Sequence, residues 1–145
     1  MAGTRGRRGG VGSRKRAFSL HFSNIRGILS NFQSIELHLS TMQPNLLLLS
    51  ETQISKDSYS SELNISNYNL FHNFRFKGGV CAYVNINTPV TCLVNLSSPN
   101  FDVLWLKISL PTTTIILCFC YCSPSGTDFT NFFNYHSRDC YIFTS

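Results

Sequence analysis

The sequence predicts an α/β domain in which a strand–helix–strand unit leads into a run of antiparallel strands and a closing helix. Three observations predict it. Apolar residues recur at helical spacing over 30–42 and are followed at once by the unbroken apolar run "NLLLLS" at 45–50. Several short segments, separated by Gly, Pro or Asn, then fill 68–122 with the composition of strands. Finally, 43% of the 145 residues are hydrophobic, which suits one packed domain and leaves little room for two.

Each element has its own justification. "AFSLHFSN" (17–24) reads as a first strand ending in a polar residue. In "SNFQSIELHLSTM" (30–42), Phe32, Ile35 and Leu39 fall on one helical face, with Ser30 or Asn31 as the N-cap and Pro44 closing the helix. The leucine run is short, continuously apolar and bounded by breakers, so it is expected to be a strand buried on both faces. The three together make a βαβ-like unit or its antiparallel relative. "SKDSYSSELNISN" (55–67) is polar and reads as a loop. Strands follow at 68–74, 79–85, 90–96, 102–110 and 113–122, the first two joined by the "RFKGG" turn at 75–79. Pro124 and Gly126 end the series. "TDFTNFFNYHSRDCYIF" (127–143) places Phe129, Phe132, Phe133, His136 and Cys140 on one face of a last helix.

Charge is unevenly distributed. The net charge is +5, yet Arg5, Arg7, Arg8, Arg14, Lys15 and Arg16 all lie in the first sixteen positions, which hold no acid. The other 129 residues carry six basic and seven acidic side chains and are nearly neutral. Residues 1–16 are Gly- and Arg-rich without apolar periodicity and are expected to be a disordered basic tail, with the domain at 17–145. Such an arm suits phosphate neutralisation on nucleic acid or a nuclear address, or is simply a solvated tail. No signal-peptide core follows it, and no apolar stretch reaches membrane-spanning length, so the expected setting is intracellular. The cysteines agree: Cys118, Cys120 and Cys122 in "CFCYC" alternate on one strand face and cannot pair with one another, and no Cys/His spacing suggests zinc.

In an α/β sheet, ligands gather beyond the ends of buried strands. Three polar residues stand at such ends: Asn24 after the first strand, Glu51 after the leucines, and Tyr121 near the end of "IILCFCYC". A carboxylate there must be paired or bind a cation, and with a carboxamide beside it forms an oxygen-rich site of the kind Mg²⁺ uses. The plainer reading is that Glu51 caps a turn, Asn24 makes an Asx-turn and Tyr121 is a half-buried aromatic.

The stretches "SNIRGILSNFQSIELHLSTMQPNLLLLSETQIS", "NISNYNLFHNFRFKGGVCAYVN" and "CFCYCSPSGTDFTNFF" resemble the endonuclease domain of non-LTR (LINE, jockey-type) retrotransposons. That domain belongs to the endonuclease/exonuclease/phosphatase superfamily, with DNase I. The likeness runs from about residue 18 to 143 and rests on N-I-R-G, P-x-L-L-x-L-S-E-T, K-G-G-V and Y-x-S-P in combination. It implies a partial DNase I-like four-layer sandwich and Mg²⁺-dependent phosphodiester hydrolysis in DNA, a nick that in a whole element primes reverse transcription. By the same resemblance Glu51 is the main Mg²⁺ ligand, Asn24 helps to hold the metal, and Tyr121 contacts the scissile phosphate. Arg75 and Lys77, beside two glycines, become candidate DNA-backbone contacts, as do Arg14, Lys15 and Arg16 of the tail.

The chain departs from the family pattern downstream. Neither "GDFN" nor "SDH", which carry the remaining Asp, Asn and general-base His, occurs. His21, His38, His72 and His136 sit at element positions where histidine is usually packed or solvated. The expectation is a domain truncated before its second half, with the inner face of its sheet uncovered and little or no activity alone. The alternatives are a non-catalytic nucleic-acid-binding remnant, a phosphatase of the same superfamily, or a pseudogene product.

Overall fold

The computed structural model describes residues 16–55, 61–96, 100–122 and 141–144, the last four by their backbone only. β1 (Leu20–Asn24) runs into a loop and then α1 (Phe32–Met42), which returns the chain to β2 (Leu46–Ser50). β1 and β2 pair in parallel, with Leu20 opposite Leu46 and Asn24 opposite Ser50, so the unit is βαβ rather than its antiparallel relative. β3 (Tyr68–Asn73) and β4 (Val80–Asn85) form a hairpin whose second strand lies antiparallel to β2. The first sheet therefore has the order β1-β2-β4-β3. The second contains β5 (Val90–Cys92), β6 (Asp102–Ser109), β7 (Thr114–Tyr121) and β8 (Tyr141–Thr144) in sequence order. β8 lies parallel to β7. The face of the expected last helix, Phe129 to Cys140, lies outside the described residues.

The leucine run behaves as its composition demands. All five residues of β2 are buried, and alternate side chains serve two different cores. Leu47 and Leu49 face α1 and pack with Ile35 and Leu39 of the helix and with Cys81 and Tyr83 of β4. Leu46 and Leu48 face the other way and meet Leu104, Leu106 and Ile108 of β6 and Leu117 and Phe119 of β7. The second sheet thus covers the inner face of the first. The expectation of an uncovered sheet face is corrected, because strands 90–121 fold back over β2 and β4 instead of extending their sheet. Val103, Trp105, Cys118 and Cys120, on the opposite face of the second sheet, are also buried. Among the described residues, Cys81, Cys92, Cys118, Cys120 and Cys122 form no disulfide.

Boundaries shift where backbone chemistry outweighs pattern. The strand expected over 90–96 stops at Cys92 and gives way to a 3₁₀ turn, Val94–Leu96. α1 ends in a left-handed Gln43, whose N–H reaches Leu39 O, so the helix is closed one residue before Pro44. Asn31 occupies the N-cap position without a side-chain capping bond. Its carboxamide instead donates to Ile25 O and Gly27 O, both at 2.8 Å, and holds the loop after β1.

Candidate active site

Three strand ends meet at one rim of the sandwich. Asn24 is the last residue of β1, Glu51 follows the last residue of β2, and Tyr121 is the last residue of β7. Asn24 Nδ2 donates to Glu51 Oε1 at 3.0 Å, and the Tyr121 hydroxyl donates to the same oxygen at 2.6 Å. Residues 97 positions apart in the chain, drawn from both sheets, are therefore held by one carboxylate oxygen.

The backbone around Glu51 explains how a polar side chain is fixed there. Gly27 N–H donates to Glu51 O at 2.8 Å and Ile28 N–H to Thr52 O at 2.9 Å, from the loop that Asn31 holds. On the other side Thr52 N–H reaches Gly79 O at 3.3 Å and Gln53 N–H reaches Gly78 O at 2.9 Å. Clamped between these two segments, Glu51 and Gln53 adopt φ of 53° and 50°, the left-handed region that costs non-glycine residues about 1–2 kcal/mol each. Strain of this kind persists only where neighbours over-determine the backbone.

The Gly78–Gly79 turn is required by the same packing. Both glycines have φ of 86°. A Cβ on Gly79 would stand 2.4 Å from Thr52 Oγ1, and one on Gly78 would stand 2.3 Å from Asp102 Oδ2 and 3.3 Å from the Tyr121 ring. The turn is anchored by Asp102, whose Oδ2 accepts Gly79 N–H at 3.0 Å while Oδ1 pairs with Arg75 Nε at 2.6 Å. Asp102 lies opposite Tyr121 in the β6–β7 ladder. Sequence reasoning passed over Asp102; the available signal was a carboxylate opening an otherwise apolar strand.

The electrostatics follow from these bonds. The Asn24 and Tyr121 hydrogen bonds, helped by the nearby Arg26 charge, hold the Glu51 carboxyl below the ordinary glutamate value against the opposing effect of burial. In return the bond to Glu51, with burial and the Glu51 and Asp102 charges, pushes the Tyr121 phenol up to about 12. At neutral pH the pair is thus a carboxylate and a protonated phenol. Among the described residues, neither Glu51 Oε2 nor Asn24 Oδ1 takes a hydrogen bond. These unengaged oxygens, one anionic and one neutral, are the donor types a hard divalent cation prefers. No cluster of three or more His, Cys, Asp or Glu occurs among the described residues, so any cation here would keep much of its water.

The expected basic contacts fall in different places. Lys77 is exposed at the tip of the turn. Arg75 turns inward: beyond its ion pair with Asp102 it donates to Phe101 O at 3.3 Å, so its guanidinium braces the turn. Arg16 docks on the end of α1, donating to Met42 O at 2.5 Å. Arg14 and Lys15 lie outside the described residues. His72 is exposed and stacks on Phe74, and His136 also lies outside the described residues.

No protein-family model matches the chain, and no curated protein matches it. Solved structures do. The endonuclease domain of TRAS1, a telomere-specific non-LTR retrotransposon, superposes with a TM-score of 0.62 at 11% identity, over 88% of this chain and 58% of that one. The AP endonuclease LMAP of Leishmania major gives 0.60 at 17% identity, over 83% and 45%. A 3′ phosphatase of Neisseria bound to a product DNA hairpin gives 0.58 at 14% identity, over 82% and 47%. The chain therefore has the mixed α/β, DNase I-like fold and spans about half the length of these structures.

Proposed function

We propose that the Asn24–Glu51–Tyr121 rim is the metal- and phosphate-binding part of a site for Mg²⁺-dependent cleavage of phosphodiester bonds in DNA, of the kind found in non-LTR retrotransposon endonucleases. The observation that carries the proposal is the single Glu51 oxygen that gathers Asn24 and Tyr121 while, among the described residues, Oε2 and Asn24 Oδ1 take no hydrogen bond. The DNA-processing names of the structural neighbours, and the family motifs around these three residues, support it.

In this reading Glu51 and Asn24 would hold the cation, and bound Mg²⁺ would polarise a phosphate oxygen. The bond to Asn24 orients the carboxylate, and the lowered Glu51 value keeps it ionised at neutral pH. Tyr121 has one proton to donate. In the free chain that proton goes to Glu51. A phosphate oxygen at the rim would have to take it over, so substrate binding and release of Glu51 Oε1 are coupled. The Gly78–Gly79 turn lets backbone approach the rim where any side chain would collide.

These 145 residues contain no Gly-Asp-Phe-Asn or Ser-Asp-His stretch, so on their own they are proposed to bind metal and DNA but to cleave weakly or not at all. Mn²⁺, titrated as a spectroscopic substitute for Mg²⁺, separates binding from turnover. The wild-type chain should bind it and Glu51→Gln should not; equal binding by the two would overturn the proposal. Nicking of supercoiled plasmid, run on both chains, then measures residual cleavage. A binding-only role is the second reading. It is favoured by exposed Lys77 and the basic run at 5–16, and predicts salt-sensitive DNA binding that Glu51→Gln leaves intact.

A further inference from the structure

The two early histidines, read from sequence as packed or solvated, face each other across β1 and α1. His21 Nδ1 and His38 Nε2 stand 2.8 Å apart, and the rings meet edge to face with centroids 5.0 Å apart. Both side chains are half-buried. They line one part of an open groove of about 560 Å³ between β1 and α1, with Ser23, Asn24, Asn31 and Ser34 along the same groove and Leu47 and Leu49 among its lining. Ser34 is one helical turn before His38, on the same side of α1.

We propose that His21 and His38 form a binding site for a borderline divalent transition metal, of the Ni²⁺ or Cu²⁺ class. The proximity of two imidazoles carries the proposal: their facing nitrogens stand 2.8 Å apart, near enough for both to reach one ion once the rings turn. Imidazole selects such metals over Mg²⁺, which prefers oxygen, so this site is chemically separate from the Glu51 rim.

The surroundings suit a cation. β1 and β2 carry no charged side chain along their lengths, and the one charge on α1, Glu36, is exposed two positions before His38 on another side of the helix. Among the described residues no lysine or arginine lines the groove, and its serine and asparagine side chains can accept bonds from metal-bound water. In the free chain one histidine donates its proton to the other. On metal binding the donor moves that proton to its far ring nitrogen, so both facing nitrogens present lone pairs and no proton need be released. The rings then turn from pointing at each other to pointing at a common ion in the groove.

The test is titration of Ni²⁺ alone into the full chain carrying no polyhistidine tag, by calorimetry. The Glu51→Gln chain, in which the carboxylate at the rim is removed, should still bind one ion. In that background His21→Gln and His38→Gln should each weaken binding by at least about tenfold, while His72→Gln leaves it unchanged. Unchanged binding in both His21 and His38 variants, or no saturation by millimolar Ni²⁺, would overturn the proposal. Paramagnetic broadening of the wild-type imidazole NMR signals needs no variant. Broadening confined to His21 and His38 supports the site, and broadening centred on His72 or elsewhere rejects it.

Discussion

β2 and the four residues that follow it are adjacent in the chain and opposite in character. Leu46–Ser50 is extended, buried throughout, and paired on both edges, with β1 and β4. Glu51–Ile54 is held by the same two neighbours, through the 25–28 loop and the Gly78–Gly79 turn, but in a conformation that two of its residues dislike. The strand contributes stability through side chains that any leucine-sized residue could approximate. The segment after it contributes position: it holds a carboxylate between donors from β1 and β7. The comparison teaches that the rigid strand is what makes the strained segment possible, since local backbone strain survives only on a support that loses more by relaxing.

Four changes probe that contrast. The largest effect is expected in the strand. Leu48 is fully buried between the two sheets, and Leu48→Ala should lose about 3 kcal/mol of stability in urea denaturation. Loss of under about 1 kcal/mol would mean that the sheet-on-sheet core is looser than its burial indicates.

Gly79→Ala should come next, at about 2 kcal/mol or more, because it combines an unfavourable φ of 86° with a Cβ 2.4 Å from Thr52 Oγ1 and 2.8 Å from Arg75 N. If instead the variant melts like the wild type, the turn does not press on the Glu51 segment as described.

Thr52→Val should work in the opposite direction. The Thr52 side chain is buried and its hydroxyl makes no hydrogen bond among the described residues, so removing it should raise stability by about 1 kcal/mol. A loss on this substitution would show that the hydroxyl has a partner, such as a bound water.

The smallest effect is a pH dependence. The folded-state value of Glu51 is lowered, so its contribution is complete above the ordinary value of 4.5 and is lost as pH falls through the lowered value. Tyr121 is raised from 10.0 to about 12, so its contribution is complete below 10 and is lost as pH rises toward 12. Thermal melts of Glu51→Gln should lack the acid part of this dependence, and those of Tyr121→Phe the alkaline part. Parallel wild-type and variant curves would mean that the 2.6 Å bond does not persist in solution.

Much of the fold was legible in the sequence for a local reason. A helix repeats every 3.6 residues, and a strand buried on both faces is continuously apolar, so α1 and β2 announced themselves within a dozen residues each. Strand ends marked by a polar residue also drew attention to Asn24, Glu51 and Tyr121. What failed was non-local or depended on the backbone. The 90–96 segment has strand composition throughout, yet only three residues find a partner strand. Nothing local in the last residues shows that Tyr141–Thr144 form a strand paired with β7. No pattern in 30–42 shows that Asn31 bonds the preceding loop in place of its helix.

By itself the sequence determined the α/β class, the βα unit followed by short strands, the burial of the leucine run and the uneven placement of charge, because each depends on neighbouring residues. Only the tertiary structure decided that β1 and β2 run parallel, and that the later strands turn back to cover the earlier sheet. It alone decided that Arg75 turns inward to Asp102 and that His21 meets His38. Each of these is a contact between groups at least 17 residues apart. Such contacts are chosen by which surfaces can close over one another without leaving a buried polar group alone, a condition on the whole packed chain that no local stretch encodes.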